Sequence, residues 1–369
     1  MSPDSLHPTN EPNLKVETMT LRYATFIEGD PTLEMFDLGH LVEGLASILV
    51  CPWVVVTGES GATYNVMRAI GMEDKNQSLN FGSYRGSDTF DTNAPLAVSF
   101  KDQPVIEDFR HERQEDCVAY RGRTFNYECY EDKVVWSEAS GRIELEVTPI
   151  GQVCSLRIPE QDGIPHPFFY RTFFGFAKGQ IDGDPVEGLY QLDHIYSRPE
   201  INFRESGWAD LVHNYWMNWL VEYEDGTLEG GHAWQGMPGL DFTAAHHVVD
   251  GVSRARPDAA MTFHRTERGS IDSLTLDLGG ELNIEFEQQG SYDWPIHTYG
   301  TKARVSRDKT VARSWCYMEN MPLNWGLVEE YQLVSARLKG RYPSLQRVLE
   351  GASVVDGRIV YAGAGDAGK

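Results

Sequence analysis

The sequence predicts an all-β, mainly antiparallel protein built from two β units, each a barrel or a sandwich, with a few short helices. Segments such as 142-RIELEVTPI-150 alternate apolar and polar residues from about Val54 onward. Asp-Gly pairs, among them Asp182-Gly183 and Asp225-Gly226, supply the positive-φ corners of tight hairpins. Long helical periodicity is scarce between positions 95 and 310. Many short strands with tight turns are typical of antiparallel sheets that close or stack.

The length of 369 residues exceeds that of one small domain. We expect residues 1–33 to form a flexible lead-in, residues 34–205 a first β unit and residues 206–369 a second. The division falls where the alternating pattern loosens, near 198-RPEINFRESGW-208. A short helix is predicted within 34–50, and the segment 326–340 fits either a helix or a strand.

The charge balance excludes two classes of partner. The chain carries 55 acidic and 32 basic residues, for a formal net charge of -23. Such a surface repels phosphate backbones and disfavours anionic membranes, so we expect no nucleic acid partner and no stable membrane insertion. The most apolar run, 45-LASILVCPWVVVT-57, is too short to span a bilayer and contains Pro52. It is predicted to be a buried segment.

The five cysteines include no CxxC spacing, which argues against a zinc ribbon or a disulfide framework. Reduced thiols and a N-terminus without a basic region followed by an apolar core predict a cytoplasmic protein. No metal and no cofactor is expected, and exposed strand edges favour a homodimer.

The segment 211-LVHNYWMNWLVEY-223 concentrates aromatic rings beside hydrogen-bonding groups. As a strand, it places Tyr215 and Trp219 on one face and Trp216 on the other. The turn at Asp225-Gly226 allows 227–236 to return as its partner, with His232 and Trp234 on one face. Seven of nine tryptophans lie between 208 and 325. This clustering favours a pocket for a bulky apolar ligand over simple core packing.

The segment 179-GQIDGDPVEGLYQLDHIYSRP-199 reads as strand, Asp-Gly corner and strand, with Asp193 and His194 near its end. A carboxyl group beside an imidazole at an apolar cavity offers an acid and a base. A solvated strand end is the alternative. We predict Asp193, His194 and His213 as the catalytic residues.

These motifs resemble the hydroxyneurosporene synthase (carotenoid 1,2-hydratase) and AttH-like group, which includes lipocalin-like Diels-Alderases. The matching residues are Gly179 to Gly183, Gly188 to Tyr196 and the Trp-containing strand that ends at Asp225-Gly226. Tyr190 departs from the group's second glycine, and Tyr196-Ser197 stand where the group has Trp-Gly. The resemblance implies two lipocalin-like β units with a ligand cavity, an Asp-His pair at Asp193 and His194, and hydrophobic terpenoid or polyketide substrates handled without an organic cofactor.

The resulting hypothesis is a cofactor-independent enzyme that moves protons on a bulky hydrophobic molecule, as a hydratase or dehydratase, an isomerase or a cyclase. Asp193 is the predicted general acid, and His194 orients it or takes the proton back. The alternatives are a hydrophobic-ligand binding protein and a metal-dependent hydrolase or lyase that uses clustered histidines. The predicted substrate-binding residues are Tyr196, Tyr215, Trp216, Trp219, His232, Trp234, His297 and Trp315.

Overall fold

A computed structural model describes the central part of the chain. The described residues are 19–71, 77–84, 109–122, 125–138, 141–161, 164, 166–201, 206, 215–236, 240–265, 271–280, 283–287, 290–291, 297–299, 302–305, 308–320, 352–355 and 358–361. Within these ranges, no helix has the length and apolar character needed to cross a membrane.

The described residues up to position 201 form one short helix and thirteen strands. The helix α1 is Leu33–Phe36. The strands are β1 (Met19–Thr20), β2 (Ala24–Gly29), β3 (Ala46–Gly58), β4 (Thr63–Gly71), β5 (Gln77–Tyr84), β6 (Arg110–Arg113), β7 (Val118–Arg121), β8 (Asn126–Cys129), β9 (Val134–Glu138), β10 (Ile143–Pro149), β11 (Val153–Ile158), β12 (Phe168–Ile181) and β13 (Asp184–Ser197).

The later described residues contribute fourteen more strands. They are β14 (Tyr215–Tyr223), β15 (Leu228–Gln235), β16 (Leu240–Asp241), β17 (Thr243–Val249), β18 (Val252–Arg256), β19 (Ala259–Arg265), β20 (Ile271–Leu278), β21 (Asn283–Glu287), β22 (Gly290–Ser291), β23 (His297–Tyr299), β24 (Lys302–Val305), β25 (Val311–Asn320), β26 (Ala352–Val355) and β27 (Arg358–Tyr361).

Three sheets carry the architecture. The first has twelve strands, with the path β5-β4-β3-β13-β12-β10-β9-β8-β7-β6 and with β11 joining β12 to β2. The second has seven strands in the order β18-β17-β15-β14-β25-β23-β22, and the third has four in the order β19-β20-β21-β24. All pairings within them are antiparallel, and only the short β1–β16 pair among the described strands is parallel. The predicted all-β, mainly antiparallel class is therefore confirmed.

The local elements predicted from the sequence include a helix and a hairpin that fall on described residues. The helix expected within 34–50 is limited to one turn, Leu33–Phe36, because the apolar residues from Ala46 onward pair as strand β3. The predicted hairpin around Asp182-Gly183 is present, with φ of 51° and 82° at its corner. The segment 326–340 lies outside the described residues.

The buried apolar residues separate into three main clusters. One lies inside the curl of the twelve-stranded sheet and includes Val54, Trp136 and Tyr190. Another lies between the seven-stranded and four-stranded sheets and includes Trp219 and Phe286. The third fills the gap between the twelve-stranded and seven-stranded sheets. We call this third region the inter-sheet gap. The boundary near residue 205 stays a prediction.

Candidate functional site

Strand β13 places its residues alternately in the inter-sheet gap and inside the curled sheet. Leu189 and Ile195 belong to the cluster of the gap, whereas Tyr190 and Leu192 belong to the interior of the curled sheet. This alternation follows from the two-residue period of a strand. It decides where each of the two predicted catalytic neighbours on this strand lies.

Asp193 lies on the gap face, in a chain of three hydrogen bonds of which one connects the twelve-stranded and seven-stranded sheets. Tyr170 on β12 donates its hydroxyl proton to Asp193 Oδ1, and Gln191 donates from Nε2 to the same oxygen at 2.6 Å. Gln191 Oε1 in turn accepts a hydrogen bond from Asn218 Nδ2 of the seven-stranded sheet at 2.7 Å. Because both donors point at the same carboxyl oxygen, they fix the orientation of the Asp193 carboxyl group.

Aromatic rings surround this hydrogen-bonded group. The Tyr170 ring stacks on His232 with centroids 5.5 Å apart, and it meets Trp234 edge-on at 4.3 Å. Trp216 lies 4.9 Å from His232 and 4.6 Å from Trp53 between ring centroids. We call the set that shares these contacts the inter-sheet cluster; it consists of Tyr170, Gln191, Asp193, Trp216, Asn218, His232 and Trp234.

Burial sets the protonation of the phenol in this cluster. Asp193 is 9 % exposed and His232 is 2 % exposed. Burial, followed by the negative charge of Asp193, raises the pKa of Tyr170 well above its ordinary value. Tyr170 therefore keeps its proton at neutral pH and donates a hydrogen bond to the carboxyl group.

His194 lies on the opposite face of β13, inside the curled sheet. Its Nε2 contacts Ser47 Oγ at 2.8 Å, and its Nδ1 lies 3.1 Å from the carbonyl oxygen of Met35. The Tyr196 hydroxyl also lies 2.8 Å from Nδ1, and Arg171 donates to that hydroxyl at 2.9 Å. Burial, and then the positive charge of Arg171, holds the pKa of His194 well below its ordinary value.

The structure therefore separates Asp193 from His194, although the two are adjacent in sequence. Successive strand residues point to opposite faces, so His194 does not orient the Asp193 carboxyl group in the manner expected from the sequence. Tyr196 shares the interior face with His194, away from the inter-sheet cluster. His213 lies outside the described residues.

The aromatic strand β14 divides its residues as its alternation predicts. Trp216 and Leu220 lie in the inter-sheet gap, whereas Tyr215 and Trp219 lie in the core between the seven-stranded and four-stranded sheets. The register pairs Trp216 with Trp234 and Asn218 with His232. The structure thus brings Trp216, His232 and Trp234 together with Asp193, and it places Tyr215 and Trp219 in another core.

The two remaining predicted residues lie on neighbouring strands. Trp315 on β25 belongs to the gap, where its Nε1 donates to Thr57 Oγ1 of the twelve-stranded sheet at 3.1 Å. His297 on β23 pairs through its backbone with Glu319 of β25. Trp315 therefore packs across the same gap as the inter-sheet cluster, beside Phe176.

Sequence reasoning missed Tyr170, Gln191 and Asn218. The two-residue period alone identifies Gln191, since it lies two residues before Asp193 on the same strand. Asn218 follows in the same way from its position between Trp216 and Leu220 on the predicted strand. No local signal identifies Tyr170, because its contact with Asp193 depends on the long-range register that pairs Thr172 with Asp193.

Two other features of the described residues bear on ligands. Nowhere among them do three or more His, Cys, Asp or Glu side chains come together in a group able to hold a metal ion. A small hollow lies beside Phe36, Phe173 and Tyr190 at the curled sheet. None of the predicted site residues lines this hollow.

Comparisons with known proteins give likeness in structure only. No protein-family model and no curated protein matches the chain. Among solved structures, the chain is similar to a Nitrosomonas europaea protein assigned to AttH, at 11% identity and a TM-score of 0.43, over 80% of this chain and 98% of that one. It is also similar to kievitone hydratase from Nectria haematococca, at 7% identity and a TM-score of 0.34, over 80% and 97% of the respective chains. At these scores, the fold assignment stands on the sheets described above.

Proposed function

We propose that the protein is a cofactor-independent enzyme that transfers protons to and from a bulky hydrophobic molecule, as a hydratase or dehydratase, an isomerase or a cyclase. The observation that supports this proposal is the placement of Asp193 within the aromatic inter-sheet cluster. Asp193 carries the exchanged proton, and Tyr170 and Gln191 hold its carboxyl group in one orientation.

The energetics of the cluster favour a chemical role over a purely structural one. A carboxyl group and an imidazole lose hydration when they are buried, and an apolar replacement of the same volume is often as stable or more so. Apolar and aromatic side chains of both sheets form one buried cluster in the gap around them. The burial of Asp193 and His232 in this gap therefore supports a role in chemistry performed there.

The rings also suit a positively charged intermediate. Protonation of an alkene places positive charge on carbon, and the faces of Trp and Tyr rings attract cations. Trp216, Trp234 and Tyr170 surround His232 at centroid distances of 4.9, 4.8 and 5.5 Å. A substrate that enters this cluster meets aromatic faces and the Asp193 carboxyl group together.

The test uses a panel of terpenoid, polyketide and aromatic alkenes incubated with the protein in deuterium oxide. Mass spectrometry then measures the deuterium or water added to each compound. The wild-type protein is expected to modify at least one compound, and Asp193→Asn is expected to lower that rate by about 100-fold. Asp250→Asn is the matched control, since it makes the same chemical change at an exposed turn residue.

Two outcomes contradict the proposal. Unchanged turnover in Asp193→Asn removes Asp193 from the mechanism. Tight binding of a panel compound, recovered unchanged and without deuterium, supports the alternative of a hydrophobic-ligand binding protein.

A further inference from the structure

The adjacent residues His246 and His247 on β17 point to opposite faces of the seven-stranded sheet. His247 lies in the core toward the four-stranded sheet, where its Nε2 contacts the buried Glu229 Oε1 at 2.6 Å. His246 lies on the other face, and its Nε2 reaches across the inter-sheet gap to the backbone oxygen of Ser155 at 3.2 Å. His247 therefore belongs to a separate core, and His246 belongs to the gap.

The contact with Ser155 determines which nitrogen of His246 carries the proton. A carbonyl oxygen only accepts hydrogen bonds, so Nε2 must be the protonated nitrogen. In a neutral imidazole, Nδ1 then has an unprotonated lone pair. The Nδ1 atom is buried and has no hydrogen-bond partner in the part of the chain that the structure describes. Burial also lowers the pKa of His246 to about 4, which keeps the ring neutral at pH 7.

His246 is in ring contact with the inter-sheet cluster. It is the cross-strand partner of His232, and the two rings are parallel within 17° at a centroid distance of 6.3 Å. His232 stacks in turn on Tyr170, which donates to Asp193. A basic nitrogen and a carboxyl group thus lie at the two ends of one column of stacked rings.

Hydration, dehydration and isomerisation each need one group that gives a proton and another that takes one. We propose that Nδ1 of His246 is the proton acceptor of this site and works opposite Asp193. This inference rests on the proposed function, since it assigns a second proton-transfer group to the same cluster.

The test uses 5-nitrobenzisoxazole, an apolar aromatic probe for a base. In this elimination, the base removes the proton on the ring carbon next to nitrogen. The electrons of that C–H bond form the nitrile, and the N–O bond breaks with its electrons on oxygen. The product is 2-cyano-4-nitrophenolate, whose absorbance gives the rate, and the proton stays on the base.

Two matched variants separate the chemistry from the fold. His246→Gln keeps an N–H donor for the Ser155 oxygen and removes the basic nitrogen. His247→Gln makes the same change at the next residue and keeps a donor for Glu229 in the other core. We expect His246→Gln to lower the second-order rate constant by about 100-fold, and His247→Gln to leave it unchanged. Urea unfolding of both variants verifies that each is folded.

Three results overturn the assignment. Equal losses in the two variants indicate a structural effect. A loss in Asp193→Asn with none in His246→Gln assigns the base to Asp193. A wild-type rate no higher than that of free imidazole at the same concentration means that Nδ1 takes no proton from the probe. This last result leaves the deuterium test of Asp193 standing, because that test uses other compounds and another residue.

Discussion

The polar side chains on the two faces of strand β13 have different surroundings. On the interior face, the contacts run from Ser47 through His194 and Tyr196 to Arg171, which pairs with Glu28 through two contacts of 2.7 Å. On the gap face, Asp193 accepts hydrogen bonds from Tyr170 and Gln191, and the Tyr170 ring stacks on His232 of the seven-stranded sheet. One strand therefore carries a closed ion-paired network on one side and a carboxyl group among aromatic rings on the other.

This difference teaches how to divide roles between sequence neighbours. A network that ends in an ion pair and in backbone carbonyls satisfies its own charges, which is the property of a structural element. A buried carboxyl group among aromatic rings is suited to exchange protons. We therefore expect changes on the interior face to lower stability, and changes on the gap face to lower activity.

The largest expected effect on stability is its dependence on pH. It involves His246 in the inter-sheet gap and His194 inside the curled sheet. Burial lowers the pKa of His246 to about 4 and that of His194 well below its ordinary value. Each folded pKa lies below the unfolded value of about 6.5. The two histidines therefore contribute fully to the free energy of unfolding above about pH 6.5, and this contribution is lost as pH falls toward about 4. His246 alone is expected to lower the free energy of unfolding by about 3 kcal/mol over this window.

Urea unfolding between pH 7 and 4 measures this loss. His246→Gln and His194→Gln should each flatten the decrease, because each removes one of the two histidines. An equally steep pH dependence in the double variant would show that other groups cause it.

The next largest effect concerns the ion pair on the interior face. Glu28→Gln leaves the Arg171 charge with a neutral partner in a position where that side chain is 4% exposed. We expect a loss of about 2 to 3 kcal/mol in the free energy of unfolding, measured in urea. Glu187→Gln is the control, since Glu187 pairs with Arg313 at the surface and should change stability by less than about 1 kcal/mol. Equal effects of the two changes would contradict a buried, closed network.

A smaller effect tests the division of roles directly. His194→Gln removes the ring that connects Ser47 to Met35, and we expect it to lower the free energy of unfolding by about 1 to 2 kcal/mol. Deuterium incorporation into the panel compounds should stay at the wild-type level, because His194 faces away from the inter-sheet cluster. A 100-fold loss of incorporation in a folded His194→Gln protein would return this residue to a catalytic role.

The sequence predicts the sheets and the faces better than it predicts the site. The two-residue period correctly divides β14 into Trp216 on one face and Tyr215 with Trp219 on the other. The same period separates Asp193 from His194, and their adjacency in sequence is therefore misleading as a sign of an acid-base pair. Tyr170 enters the cluster only through the pairing of β12 with β13, which depends on registers that no local pattern contains.

The smallest expected effect concerns the indole nitrogens of the gap. Trp234 Nε1 is buried without a hydrogen-bond acceptor among the described residues, whereas Trp315 Nε1 donates to Thr57. Trp234→Phe keeps an aromatic ring and removes an unsatisfied donor, so the lost contact area is largely offset and the free energy of unfolding should change by less than about 1 kcal/mol. Trp315→Phe makes the same change but leaves Thr57 without this donor, and it should cost about 1 to 2 kcal/mol more. Urea unfolding of the pair measures the difference. A larger loss of stability in Trp234→Phe than in Trp315→Phe would contradict this expectation. It would mean that the Trp234 N–H has a hydrogen-bond acceptor in the folded protein.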